Sequence, residues 1–108
     1  MALFRRKIMN AASAVNSVSD EIGPVDCSNI NEITYYVVAT TGVSAGVVQP
    51  ETAHMTSFTG GWAPEGSAVS VAPNAVKTVS VGGVTHVRRV RIVTAILGGT
   101  VDVWAIGK

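Results

Sequence analysis

Residues 87–108 read V-R-R-V-R-I-V-T-A-I-L (87–97), G-G (98–99) and T-V-D-V-W-A-I-G-K (100–108), and they carry the strongest structural signal in the chain. Two runs rich in β-branched residues flank a two-residue glycine link, which reads as a β-hairpin. Folded that way, Leu97 pairs with Thr100, Ile96 with Val101, Thr94 with Val103 and Ile92 with Ala105. Side chains alternate across a strand, so one face carries Val90, Ile92, Ile96, Val101 and Val103. The other carries Arg89, Arg91, Val93, Asp102, Trp104 and Ile106. The first face is core in character. The second is neither polar nor plainly apolar, and something is expected to cover it.

Upstream, Glu32 to Thr41 is the clearest central strand, with Ile33, Tyr35, Val37 and Ala39 on one side and Thr34, Tyr36 and Val38 on the other. Both sides are apolar enough to predict cover on both faces. Val43 to Val48 reads as a short strand closed by Pro50, Ala53 to Phe58 as a weakly patterned one, and Gly60 to Gly66 as a loop. Ser67 to Ala72 and Ala75 to Val81 are strands about a Pro73-Asn74 turn, and Gly82-Gly83 leads to a long strand beginning at Val84. About six to eight short strands with regular turn signals predict an all-β antiparallel sandwich or small barrel. The nineteen valines agree with strands rather than helices.

The first 22 residues are ambiguous. Ile8, Ala12, Val15 and Ile22 mark a helical face, but the Asn, Ser and Val content weakens a helix, and an extended arm or edge segment fits at least as well. The predicted organisation is therefore an arm or edge segment over 1–22 and one β domain over 23–108, as the length of 108 residues favours.

Charged residues make up 14% of the chain, against about 25% in typical domains, so its surface is cheap to desolvate. That composition fits a protein that lives against protein neighbours. The net charge of +1 gives no field to steer it to nucleic acid or an anionic membrane. Arg5-Arg6-Lys7 is the only basic run, the start lacks an apolar signal-peptide core, and no apolar run is long enough for a transmembrane helix. A single cysteine, Cys27, excludes an internal disulfide and reads as a small packed residue.

No cofactor or metal is expected. His54 and His86 with Glu51 or Asp102 form no metal-ligand spacing. The nine serines include no nucleophile elbow, so no catalytic residue is assigned and the chain is not read as an enzyme. Glu51 and Glu65 resemble a glycosidase pair only in residue type, since both sit beside loops. Trp62, in G-G-W-A-P-E-G, is either a plug or an exposed platform for a glycan, and the plug is the commoner fate of such a ring. Arg88, Arg89 and Arg91 lack the clustered aromatics of a single-strand binder. Arg89 and Arg91 fit better as ion-pair partners of a neighbouring subunit's carboxylates.

The order I-G-P-V-D-C-S-N-I-N-E-I-T-Y-Y-V-V-A-T-T-G, then V-V-Q-P-E, then V-R-R-V-R-I-V-T-A-I-L-G-G-T-V-D-V-W-A-I-G resembles small β-sandwich structural proteins of tailed bacteriophages. Pro24 to Ser28 match the family's lead-in, Arg89 to Ile92 its penultimate strand and Gly98 to Trp104 its closing hairpin. The resemblance implies a jelly-roll-like sandwich with an extended N-terminal arm and a structural role in the virion. It further implies a capsid decoration or cement protein, made in the host cytoplasm and seated on the capsid surface. Its partners would be the major capsid protein and itself, as a homotrimer. Arg5, Arg6, Lys7, Arg89, Arg91, Asp102 and Trp104 would form the subunit or capsid interface, with Trp62 a further loop contact. A tail, neck or head-fibre-base component and a carbohydrate-binding module are the alternative roles.

Overall fold

The computed structural model of the chain describes residues 4–23, 32–71, 76–82 and 87–107. The 24–28 lead-in with Cys27, the Pro73-Asn74 turn and the start of the long strand with His86 lie outside the described residues. Every element in the described residues is a strand: β1 (Phe4–Ala12), β2 (Glu32–Ala39), β3 (Ala45–Ala53), β4 (Ala63–Pro64), β5 (Val69–Ser70), β6 (Val76–Gly82), β7 (Val87–Leu97) and β8 (Val101–Gly107). All pairings are antiparallel. One sheet has the order β1-β8-β2-β6. In the other, β3 pairs with β7 along one edge and with the short β4 and β5 along the opposite edge.

The segment 13–22 completes the second sheet. Single bridges join Val18 to Arg91 and Ile22 to Arg88, and backbone bonds run from Asn16 N to Ile92 O (2.8 Å) and from Ile22 N to Arg88 O (2.8 Å). The buried Ser19 hydroxyl accepts from Val90 N at 2.9 Å, standing in for a ladder carbonyl. The exposed edge of β7 is thereby closed, which removes a template for unwanted strand pairing.

The predicted β7–β8 hairpin does not form. β7 pairs with β3, and β8 lies between β1 and β2. Gly98-Gly99 therefore carries the chain from one sheet to the other. Its glycines are required by a close approach. Gly98 has φ +86°, and a Cβ there would collide with the Gly42 carbonyl oxygen, while one on Gly99 would collide with the Thr40 hydroxyl. The Thr40–Ser44 link, which crosses between the sheets in the other direction, nests against it. Thr40 N donates to Thr100 O at 3.0 Å and Ser44 N to Leu97 O at 2.9 Å. Two glycines between β-branched runs mark tight backbone approach, and that serves a hairpin and an inter-sheet link equally well.

The core assignment survives the change of partner. Val90, Ile92, Ile96, Val101 and Val103 are all buried, in one cluster with Ile33, Tyr35 and Val37 of β2 and Ile8 and Met9 of β1. Both sheets contribute to that cluster, so each has an inward face on it and an outward face away from it. The β1 residues decide between the two readings of the first 22 positions. Phe4–Ala12 is an edge strand of the first sheet, paired from Phe4↔Gly107 to Ala12↔Val101, and not a free arm over its length. Its burial of Ile8 and Met9 means that it cannot be removed without loss of core.

Three other expectations are corrected. Pro50 does not close a strand but sits inside β3, opposite Val90. Val90 turns its own N–H and carbonyl to Ser19, so the Pro50–Val90 pair requires no proline N–H. Residues 54–58 form turns rather than a strand. Finally, β2 is not covered on both faces: Tyr36, on its outward side, is 36% exposed.

Candidate interaction surface

Arg89, Arg91, Asp102 and Trp104 were expected on a single face. Because β7 and β8 belong to different sheets, the structure separates them. Arg89 and Arg91 lie on the outward side of the β7–β3 sheet, and Asp102 and Trp104 on the outward side of the β1-β8-β2-β6 sheet.

On the β7–β3 sheet, the cross-strand register sets Glu51 opposite Arg89 and Gln49 opposite Arg91. Glu51, only 3% exposed in its side chain, receives Arg89 Nε on Oε1 at 3.0 Å and Arg91 Nε on Oε2 at 2.9 Å. Arg91 also donates to Asn16 Oδ1 at 2.9 Å. The Arg89 guanidinium stacks 4.1 Å from the Trp62 ring centroid, and the Trp62 indole N–H donates to Phe58 O at 2.8 Å. Trp62 is 8% exposed. It is buried, as a plug would be, but against the outward side of this sheet and apart from the core cluster. A sugar finds no open ring there. Nor do Arg89 and Arg91 need a neighbouring subunit's carboxylates, because Glu51 of the same chain supplies both.

Arg88 points the other way, alternating with its neighbours. Its side chain is 1% exposed, and it engages Glu65 (Nε to Oε1, 3.0 Å) and Gly82 O (3.2 Å), tying β7 to the loop after β4 and to the end of β6. A buried charge survives only with such compensation. Glu51 and Glu65, weighed above as an acid pair, are thus each engaged by arginine. His54 packs edge-on against Phe58, with 4.8 Å between ring centroids. Among the described residues, no three potential metal ligands cluster.

The outward side of the β1-β8-β2-β6 sheet is different. Trp104 sits in mid-sheet, opposite Lys7 on one side and Tyr36 on the other. Arg5 Cζ lies 4.9 Å and Lys7 Nζ 5.3 Å from its ring centroid. Lys7 also pairs with Asp102 at 3.4 Å, and Asp102 accepts the Ala11 N–H at 2.7 Å. Arg6, of opposite parity, turns away and donates to Glu21 O at 2.9 Å. Beside Trp104 lies an open depression of about 310 Å³, lined by Arg5, Tyr36, Val38, Val76, Trp104 and Ile106. Val76 is 57% exposed.

Of the expected interface residues, Arg5, Lys7, Asp102 and Trp104 come together here, while Arg6, Arg89, Arg91 and Trp62 do not. The sequence reading missed Tyr36, Val38 and Val76 as members of this surface. Their signal was present, in apolar side chains at strand positions of outward parity. No family model, curated protein or solved structure matches the chain.

Proposed function

We propose that the chain is a structural protein of a virion. In this reading it is a capsid decoration protein that binds the major capsid protein lattice and stabilises the head as a homo-oligomer, with a trimer as the expected state. The observation that carries the reading is the Trp104 surface. An outward sheet face with an apolar centre, in a chain with few charges to desolvate, favours burial against another protein over solvation. A depression this small does not hold a partner alone, since a standard interface buries about 1,600 Å². Repetition over a lattice supplies the remainder as avidity.

The connectivity supports a jelly-roll sandwich as the scaffold. Along the chain, β1, β2, β6 and β8 fall in one sheet, and segment 13–22, β3, β4 with β5, and β7 in the other. That alternation is the one two Greek keys produce in an eight-strand jelly roll.

Sedimentation with purified expanded heads tests the proposal. Wild type is expected to pellet in stoichiometry with the shell lattice, whereas a tail, neck or head-fibre-base component would be scarce in the particle. Trp104→Ser is expected to stay in the supernatant while remaining folded, with a melting temperature lowered by about 5–15 °C. Full occupancy by that variant would refute the assignment of this face.

A further inference from the structure

We infer that the depression beside Trp104 is a recognition site for a carboxylate-bearing apolar segment of the partner protein, with Arg5 as the group that reads the carboxylate. The inference rests on the proposed binding face and specifies its ligand chemistry.

Arg5 stands apart from Arg88, Arg89 and Arg91. Arg88 holds Glu65, and Arg89 and Arg91 share Glu51. Arg5 is exposed, and among the described residues no carboxylate reaches it. It lies over the face of Trp104 and lines the depression. A guanidinium held on an aromatic ring keeps its planar fork of donors free for an incoming carboxylate. The nearest acid on this face, Asp102, is already held by Lys7 and the Ala11 N–H. The rim is therefore cationic and the floor apolar.

Size narrows the occupant. At about 310 Å³ the depression lies at the foot of the roughly 300–1,000 Å³ range of ligand sites, and it is open. It accommodates one or two side chains of an extended segment rather than a whole cofactor. The complementary ligand is an aliphatic or aromatic side chain with an Asp, Glu or terminal carboxylate within about two residues, the repeat of side chains on one face of a strand.

The experiment uses the intact chain and two probes with the same phenylethyl body and opposite charge, 3-phenylpropionate and 2-phenylethylamine. The indole N–H of Trp104 is followed by NMR, and that of Trp62, engaged by Phe58, is the internal control. The carboxylate probe is expected to shift the Trp104 signal at a concentration about three- to fivefold lower than the amine, as an exposed ion pair allows. Trp62 should stay still, and Arg5→Gln should abolish the difference without changing the melting temperature. Equal response to both probes, no response to either, or a preference that survives Arg5→Gln would each overturn the inference. Head sedimentation separates this from the broader reading. If Trp104→Ser is lost from heads while the probes show no charge preference, only the ligand chemistry is wrong. If the probes behave as expected but wild type does not pellet with heads, only the shell reading fails.

Discussion

The two outward faces carry the same residue types and use them in opposite ways. Each has a tryptophan, an arginine stacked on it and an acidic residue nearby. On the β7–β3 sheet these groups satisfy one another: Trp62 lies beneath Arg89, and Glu51 holds Arg89 and Arg91 together. On the β1-β8-β2-β6 sheet, Trp104 and Tyr36 stay partly accessible, and Arg5 has a ring but, among the described residues, no acid. The difference lies in what the chain lays over each sheet. The loop before β4 brings Trp62 onto the first face, whereas no described segment crosses the second. An arginine–aromatic pair is therefore no sign of an interface until its carboxylate has been located.

Stability measurements can break that comparison. The largest effect is expected for Trp62→Ala, which empties a buried ring site and removes the surface under Arg89; about 3–4 kcal/mol should be lost in urea unfolding. A loss as small as that of Trp104→Ser would mean the two faces are not different in kind. Glu51→Ala comes next. It leaves two guanidinium groups without their acid, but both are partly exposed, so solvent limits the cost to about 2–3 kcal/mol. Trp104→Ser should cost about 1–2 kcal/mol while abolishing head binding, because its ring is less deeply buried than that of Trp62. The smallest effect is a gain. Ala11 occupies φ +49°, a left-handed conformation that Gly adopts without steric penalty, at the irregular end of β1 beneath the open face. Ala11→Gly should raise stability by about 0.5–1 kcal/mol, read as a higher melting temperature; a fall would place the strain elsewhere.

Local pattern revealed which side of β7 and β8 faces the core, and little about which strands are neighbours. Alternation grouped Ile33, Tyr35 and Val37 on one side of β2 without marking that side alone as core, whereas it assigned Val90, Ile92, Val101 and Val103 to the core outright. Those four would be buried whether β7 and β8 paired or faced each other across the core, so their pattern could not choose. The pairing of Glu51 with Arg89 spans 38 residues and depends on the β3–β7 register, which no local window contains. Pro50 misled for a related reason. A proline breaks a strand only where its missing N–H is needed, and that depends on the neighbour. The Trp104 surface was half legible. Arg5, Lys7, Asp102 and Trp104 were singled out, but Tyr36, Val38 and Val76 were hidden by the assumption that apolar residues on both sides of β2 meant cover on both sides.

The position of β8 bears on how the molecule comes into being. It lies between β1 and β2, yet it is the last of the strands to leave the ribosome. Until it arrives, β1 and β2 have no shared neighbour, and Tyr35 and Val37 lack their flanking partners Ala105 and Val103. The first sheet therefore cannot be completed until β8 is available. Such a chain, dominated by contacts distant in sequence, is expected to fold in milliseconds to seconds rather than microseconds. During that interval the nascent chain is at its most vulnerable to wrong partners, including other copies of itself translated from the same message.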